Sequence, residues 1–467
     1  MWPPAATPLE STVAIPSSVL LDLHEARPER YPVLLESVGG GGSLGRYDVL
    51  LALPEVQLQK HGDGRLTLDD NELPGTGFLD ALDAWWRDER QSSSGAGGIF
   101  SGGWFLYLAY ELAGEIEPRL ELHRSSRPQA LAWRVRGALV RDRETGLACF
   151  CAEDGSGLRL RREASEDIAA LPAAGRGPRA GAAGGTVPRA LVEDLREEDP
   201  AIFLAGVQQA LAAIGRGDVY QVNLSRAWSA RLRGEATEVD LYRRLRVANP
   251  APFAGIARLP GFAVLSSSPE RLLRVADGMA STRPIAGTRP RGQDAESDAS
   301  LKAELWLNEK ERAEHIMLVD LERNDLGRVC KAGTVRVDEL MTIETYAHVH
   351  HIVSNVRGEL RPEVTPGEAI AAVFPGGTIT GCPKVRCMEL LAQLEPQPRD
   401  AYTGSMGYLG LDGSLDLNIL IRTLMVSAGL ATFRTGGGIV ADSRPGPELE
   451  ETRAKARGLL AALEQAP

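Results

Sequence analysis

The sequence predicts an α/β protein, and three observations carry that class. The first third holds strand-like apolar runs, "YDVLLALP" and "LAWRVRGALV". From about Leu191 onward, strand patterns and long helical patterns alternate irregularly. A composition that is 43% hydrophobic and 25% charged over 467 residues supplies ample apolar material for one large core.

In chain order, "MWPPAATPLESTVAIPSSVLLDL" has no basic stretch before its apolar residues, and no apolar run reaches the ~18 residues a bilayer span needs. The expectation is a cytoplasmic chain. Residues 1–172 read as an N-terminal part, interrupted by the loop-like "QSSSGAGG". The Gly/Ala-rich stretch at 173–190 cannot bury enough surface to offset its ordering, so it reads as a linker or loop before residues 191–467. A net charge of -11 leaves no dominant basic footprint for nucleic acid or an anionic membrane, which favours small-molecule chemistry. The five cysteines, Cys149, Cys151, Cys330, Cys382 and Cys387, lack paired zinc-ligand spacing and read as reduced, mostly buried thiols.

Residues 191–467 carry the chemical motifs. In "VLSSSPERLL" a strand leads to Glu270, a carboxylate fit for general acid work or simply a surface group. "STRPIAGTRPRG" sets the inert Ala286 between a proline-stiffened strand and Gly287-Thr288. In "EKERAEHIMLVDL" a helical period aligns Glu311, Glu314, His315 and Leu318 opposite Ala313, Ile316 and Met317. "YAHVHHIVSN" puts His348 and His350 on one strand face and His351 on the other, which is no obvious metal triplet. "FPGGTITGCPK" spaces Gly376 and Gly381 like a phosphate loop but has Cys382-Pro383 where such a loop needs lysine and a hydroxyl, so a nucleoside triphosphatase is rejected. Gly436, Gly437 and Gly438 in "RTGGGIVADS" either let backbone N–H groups approach an anion or form a tight turn. "SRPGPELEETRAKARGLLAAL" reads as a helix starting at Pro447, with Glu448, Glu451 and Lys455 on one face. Two carboxylate pairs on helices suit a hard ion such as Mg²⁺, or they are solvated salt-bridge faces; spacing leaves both open.

In their order, these stretches together with "GDVYQVNLSR" and "GYLGLDGSLDLNILIRTL" closely resemble the chorismate-utilising enzymes over residues 200 to 460. "RYPVLLESVGGGGSLGRYDVLLALP" resembles the first half of the family's two aminating members. The resemblance implies a single α/β unit with an anthranilate-synthase-like fold: two large antiparallel-rich sheets in a central sandwich, helices outside, and the active site in a cleft between them. It implies Mg²⁺ on Glu314 and Glu451, supported by Glu311 and Glu448. Glu270 matches the general acid, and His351 and Thr378 match further catalytic positions. Gly287, Thr288, Tyr402, Arg422, Gly436, Gly437, Gly438 and Lys455 match substrate contacts; cationic groups suit chorismate, a dianion.

Water-adding members resemble one another in carrying lysine where this chain has Gln221, and glutamine cannot take a proton from water. Ammonia is therefore the expected nucleophile. No cysteine sits in a Gly-x-Cys-x-Gly elbow, so a separate glutamine amidotransferase subunit is the expected ammonia source. At Ala286 the chain resembles anthranilate synthases, which read Pro-Ile-Ala-Gly-Thr; aminodeoxychorismate synthases commonly carry a covalent lysine nucleophile there. "QVNLSR", "ANPAPF", "FPGGTITGCPKVRCMELL" and "FSGGWFLYLAYELAGEIEPRL" instead resemble aminodeoxychorismate synthase component I. The expectation is that function, of a Pro-Ile-Ala-Gly-Thr subclass using two ammonias through 2-amino-2-deoxyisochorismate. Anthranilate synthase component I and an inactive chorismate- or tryptophan-binding regulatory subunit are the alternatives. Ser37, Leu44, Gly45, Arg46, Tyr47, Pro252, Phe253 and Ala254 resemble the tryptophan pocket of the aminating members.

Overall fold

In the computed structural model, two long strands, Tyr47–Lys60 and Ala130–Asp142, pair antiparallel along nearly their whole length and root the sheet. The residues described are 6–8, 15–39, 45–91, 100, 102–153, 157–171, 190–345 and 349–464; Leu44, His348 and nearly all of the expected linker lie outside them. Two wings grow from the root pair. One passes through Val33–Glu36, Phe253–Leu259, Phe262–Ser268, Thr423–Ser427, Leu430–Ile439, Gln221–Leu232 and Val192–Glu197. The other passes through Gly103–Leu108, Ser405–Gly410, Leu415–Asn418, Arg271–Ala276, Met279–Arg283 and Val349–Glu359, which also pairs with Ile285–Pro290 and Arg336–Thr345. All these pairings are antiparallel.

Strand alternation sorts the core into layers. Val49, Leu51, Phe105, Tyr107, Val264 and Met425 point between the wings and fill the centre. Their neighbours Leu50, Leu265 and Leu424 face outward against Leu20, Leu245 and Leu459 of the helices Ser17–Ala26, Glu238–Ala248 and Pro445–Glu464. Leu106, Leu273 and Leu417 face the opposite helices, meeting Leu82, Val319, Ile370 and Met388. Each fully buried leucine stabilises this arrangement by about 1.5–3 kcal/mol. The expected sandwich with outer helices is therefore present, with its two sheets continuous through the root pair. Residues 1–172 and 191–467 share both wings, as expected for one unit.

Helix Pro445–Glu464 begins two residues before the expected Pro447. Its first helical hydrogen bond runs from the Glu448 N–H to the Arg444 carbonyl, so Pro447 sits in the first turn, where a missing N–H costs nothing. On helix Glu309–Gly327 the expected stripe holds: His315 and Leu318 are buried, while Ala313 and Ile316 are exposed. All five cysteines are free, and all but Cys382 are buried. Among the described residues, no helix is long and apolar enough to cross a membrane.

The chain passes from one wing to the other at Ser268–Arg271 and again at Asn418–Thr423. The two crossings are tied together: the Ile419 N–H donates to the Glu270 carbonyl (3.0 Å) and the Ser267 N–H to the Arg422 carbonyl (3.1 Å). Glu270 and Arg422 thus share the junction of the wings.

Candidate active site

Glu270 is only 4% exposed, and burial pushes its carboxyl up to about 7 against the pull of Thr378, the Ile285 backbone, Arg422 and Lys455. Its Oε1 and the Thr378 Oγ are both buried without a partner in hydrogen-bond geometry. The hydroxyl faces the carboxyl but does not satisfy it. A carboxyl that keeps its proton near neutrality is what a general acid requires. Arg422 adopts a left-handed backbone conformation (φ 53°), a costly geometry for a side chain with a Cβ, and burial draws its guanidinium below its usual range.

The glycine run lies on the strand Leu430–Ile439, paired with Gln221–Leu232 so that Gly438 faces Asn223 and Gly436 faces Ser225. A Cβ at Gly438 would lie 2.2 Å from the Gln221 Nε2, and one at Gly436 would lie 2.7 Å from the Tyr402 hydroxyl. A Cβ at Gly437 would sit 3.4 Å from Glu451 Oε1 and 3.5 Å from Glu448 Oε2. Three consecutive glycines therefore front the Gln221 amide, a carboxylate pair and the Tyr402 phenol. Lys455 joins two of these: its Nζ donates to the Gly436 carbonyl (2.9 Å) and pairs with Glu451 Oε1 (2.7 Å). The Gln221 Oε1 is buried and unpartnered.

Ala286 and Gly287 lie on Ile285–Pro290, where the register against Val349–Glu359 slips between Ala286 and Thr288. Gly287 takes φ +66° there, a backbone conformation that favours glycine, and a Cβ would come within 2.2 Å of Glu311 Oε2 and 2.8 Å of Leu305 Cδ1. Thr288 is in register with His351, whose Nδ1 lies 3.4 Å from the Gly287 carbonyl. Burial lowers His351 to about 4, so its ring is neutral near pH 7. His350 turns elsewhere, between Asp298 (2.9 Å) and Thr345 (3.0 Å).

Of the four expected metal ligands, Glu448 and Glu451 meet at Gly437. Glu311 is held by Arg289 (2.7 Å) and capped at Asn308, with its Oε2 buried and unpartnered. Among the described residues, no three His, Cys, Asp or Glu side chains stand close enough to enclose an ion. A hard divalent ion keeps several waters and often takes one or two carboxylates, the donor type Glu448 and Glu451 supply, although Glu451 is here paired with Lys455.

The expected tryptophan-pocket segments are also adjacent, since Val33–Glu36 lies between Tyr47–Lys60 and Phe253–Leu259. The Ser37 N–H donates to Asp48 Oδ1 (3.3 Å), and Arg46 lies over the Tyr47 ring while pairing with Asp142 (2.8 Å). Sequence reasoning missed the buried charges beneath: Glu36, accepting from Tyr242 and Arg246, and Asp48, accepting from Arg141 and Arg143. It also missed Glu322, which burial and Asp325 push up to about 8, and the pair Glu395–Arg399. Only the four-residue spacing of that last pair was visible, and such spacing is ordinary on solvated helices.

Residues 54–461 match the family of chorismate binding enzymes. The chain belongs to that family. Among relatives of this chorismate binding enzyme, aminodeoxychorismate synthase component 1 of Bacillus subtilis is 38% identical over 450 residues, covering 94% of this chain and 93% of the relative. Anthranilate synthase component 1 of Cereibacter sphaeroides is also 38% identical, over 474 residues, covering 98% and 94%. The crystal structure of anthranilate synthase component I from Streptococcus pneumoniae superposes with a TM-score of 0.75 at 29% identity, covering 90% of this chorismate binding enzyme and 93% of that chain.

Proposed function

We propose that the chain is component I of an aminodeoxychorismate synthase, replacing the ring hydroxyl of chorismate by ammonia to give 4-amino-4-deoxychorismate and water. The observation that carries amination is Gln221: its amide lies against Gly438, and its buried Oε1 can accept a hydrogen bond from ammonia but cannot take a proton from water. Glu270 donates the proton that lets the hydroxyl leave as water. Glu314 and Glu451, supported by Glu311 and Glu448, would hold a magnesium ion whose charge neutralises a substrate carboxylate. Arg422, Lys455, Tyr402 and the glycine strand bind and orient the ring. His351, neutral at working pH, orients rather than donates.

Ala286 supplies no covalent nucleophile, so the first ammonia adds at C2 as the C4 hydroxyl leaves as water with the Glu270 proton, and the second enters at C4 while the C2 amine leaves as ammonia. A glutaminase partner supplies both. The distributed segments quoted above support the C4 product. Anthranilate synthase component I is the second reading, favoured by Ala286 and by a relative of that name at equal identity. Chorismate, Mg²⁺ and ammonium are incubated with the chain, with and without a separate aminodeoxychorismate lyase. 4-Aminobenzoate that forms only with lyase supports the proposal, and fluorescent anthranilate formed without lyase overturns it. A released 2-amino intermediate supports the two-ammonia route; a protein-bound chorismate adduct rules it out.

A further inference from the structure

One buried ion pair reaches the candidate site at three places, the strand of Gln221, the turn of Thr378 and the Tyr402 ring. Glu395 and Arg399 are 3% and 4% exposed. Glu395 grips the guanidinium with both oxygens, accepting from Arg399 Nη2 (2.7 Å) and Nε (2.8 Å), and also accepts from the Ser225 N–H and Oγ, both at 2.8 Å. The same guanidinium donates to the Asn223 carbonyl (2.7 Å) and the Ile379 carbonyl (3.2 Å) and lies over the Tyr402 ring at 5.5 Å.

Each of these tethers ends beside a residue of the site. Asn223 is two residues from Gln221 and faces Gly438; Ser225 faces Gly436. Ile379 follows Thr378 in the turn Gly377–Ile379. We propose that Glu395 and Arg399 are a positioning pair, in which one planar guanidinium fixes the Gln221 strand, the Thr378 turn and the Tyr402 ring relative to one another. The function assigned to it rests on the chorismate-aminating reading. A buried ion pair is a poor way to gain stability, because desolvating both charges offsets most of their attraction. It is a good way to fix geometry, because an arginine presents five donors in a rigid plane whereas lysine presents one rotatable ammonium. An open cavity of about 460 Å³, lined among others by Arg399, Tyr402, Arg434 and Gln397, reaches the Arg399 position.

The test compares Arg399→Lys, Arg399→Ala and a control, Arg134→Lys. Arg134 is as buried, and bonds Glu89 and the carbonyls of Gly103 and Val135, away from these residues. Arg399→Lys is expected to fold and to lose about 100-fold in kcat for chorismate consumption with only a few-fold change in KM, the signature of misplaced reacting groups. Guanidinium ions should restore Arg399→Ala several-fold through the cavity, while Arg134→Lys loses stability without that loss in kcat. Wild-type kcat in Arg399→Lys, or a kcat loss matched by Arg134→Lys with no guanidinium rescue, overturns the proposal. If the wild type leaves chorismate untouched, the functional reading fails and a crystal structure of Arg399→Lys decides the pair alone. Displacement of Tyr402 from Gly436 and of the Ile379 carbonyl from the Asn223 carbonyl supports it, and unchanged positions refute it.

Discussion

Replacing Glu270 by glutamine should trade activity for stability in a pH-dependent way. At an ordinary 4.5, roughly 0.3% of such a carboxyl would hold its proton at pH 7; at about 7, half does, an advantage of roughly 150-fold in the acid form. The same shift burdens folding. Below pH 4.5 both folded and unfolded carboxyls are protonated, and there is no effect. Between 4.5 and about 7 the unfolded carboxyl ionises while the folded one does not, so stability falls as pH rises, by about 3 kcal/mol in all. Above about 7 the loss is constant.

Glutamine never ionises, so Glu270→Gln should be more stable than wild type at about pH 8 by up to about 3 kcal/mol, with the difference shrinking towards pH 5. Turnover should fall by about 10²–10⁴-fold, the usual contribution of a general acid. Urea unfolding at several pH values and chorismate consumption read the two effects. Expressing each rate as a ratio to wild type at the same pH cancels the titration of ammonia. A variant no more stable than wild type at about pH 8 than at about pH 5, or one keeping turnover within tenfold, would refute the reasoning.

Gly287→Ala should cost about 1–3 kcal/mol in urea unfolding and most of the activity, since it combines a positive φ with a Cβ 2.2 Å from Glu311 Oε2. Gly438→Ala meets only the end of a flexible side chain, so it should fold normally but displace the Gln221 amide; the expected readout is a raised KM for ammonium at unchanged melting temperature. Asp48→Ala strands Arg141 and Arg143, yet the latter keeps 25% of its side chain in water, so the loss should be about 2 kcal/mol, under the 3–5 kcal/mol of a fully buried pair.

The layers and the candidate site residues were legible in the sequence for different reasons. Alternation on strands such as Phe262–Ser268 sorts side chains into the middle and outer cores, because a period of two can face only two ways. The stripe on Glu309–Gly327 follows from the helical period in the same way. Pairing order is not encoded in periodicity: nothing in "YDVLLALP" says that it meets residues 130 to 142, so the continuity of the two sheets could only be seen in three dimensions. Glu270, the glycine run and the carboxylate pairs were legible through their family resemblance, while their local spacing left bland readings open.

What stayed hidden was whatever depends on charges meeting across the fold. Glu395 looks like a residue for a solvated surface until Arg399, Arg434 and Ser225 converge on it, and only their convergence makes its burial tolerable. Burial itself acts in opposite directions on chemically identical groups. Glu270 lacks a committed cation and is pushed up to about 7, whereas Glu395, equally buried but held by two guanidiniums, stays below the ordinary carboxylate range. One carboxyl is thereby left able to hold a proton near neutrality and the other is kept as a fixed anion. The difference lies in which cations reach each carboxyl: Arg399, four residues along, and Arg434, from a distant strand, both pair with Glu395, whereas Arg422 and Lys455 act on Glu270 without pairing with it.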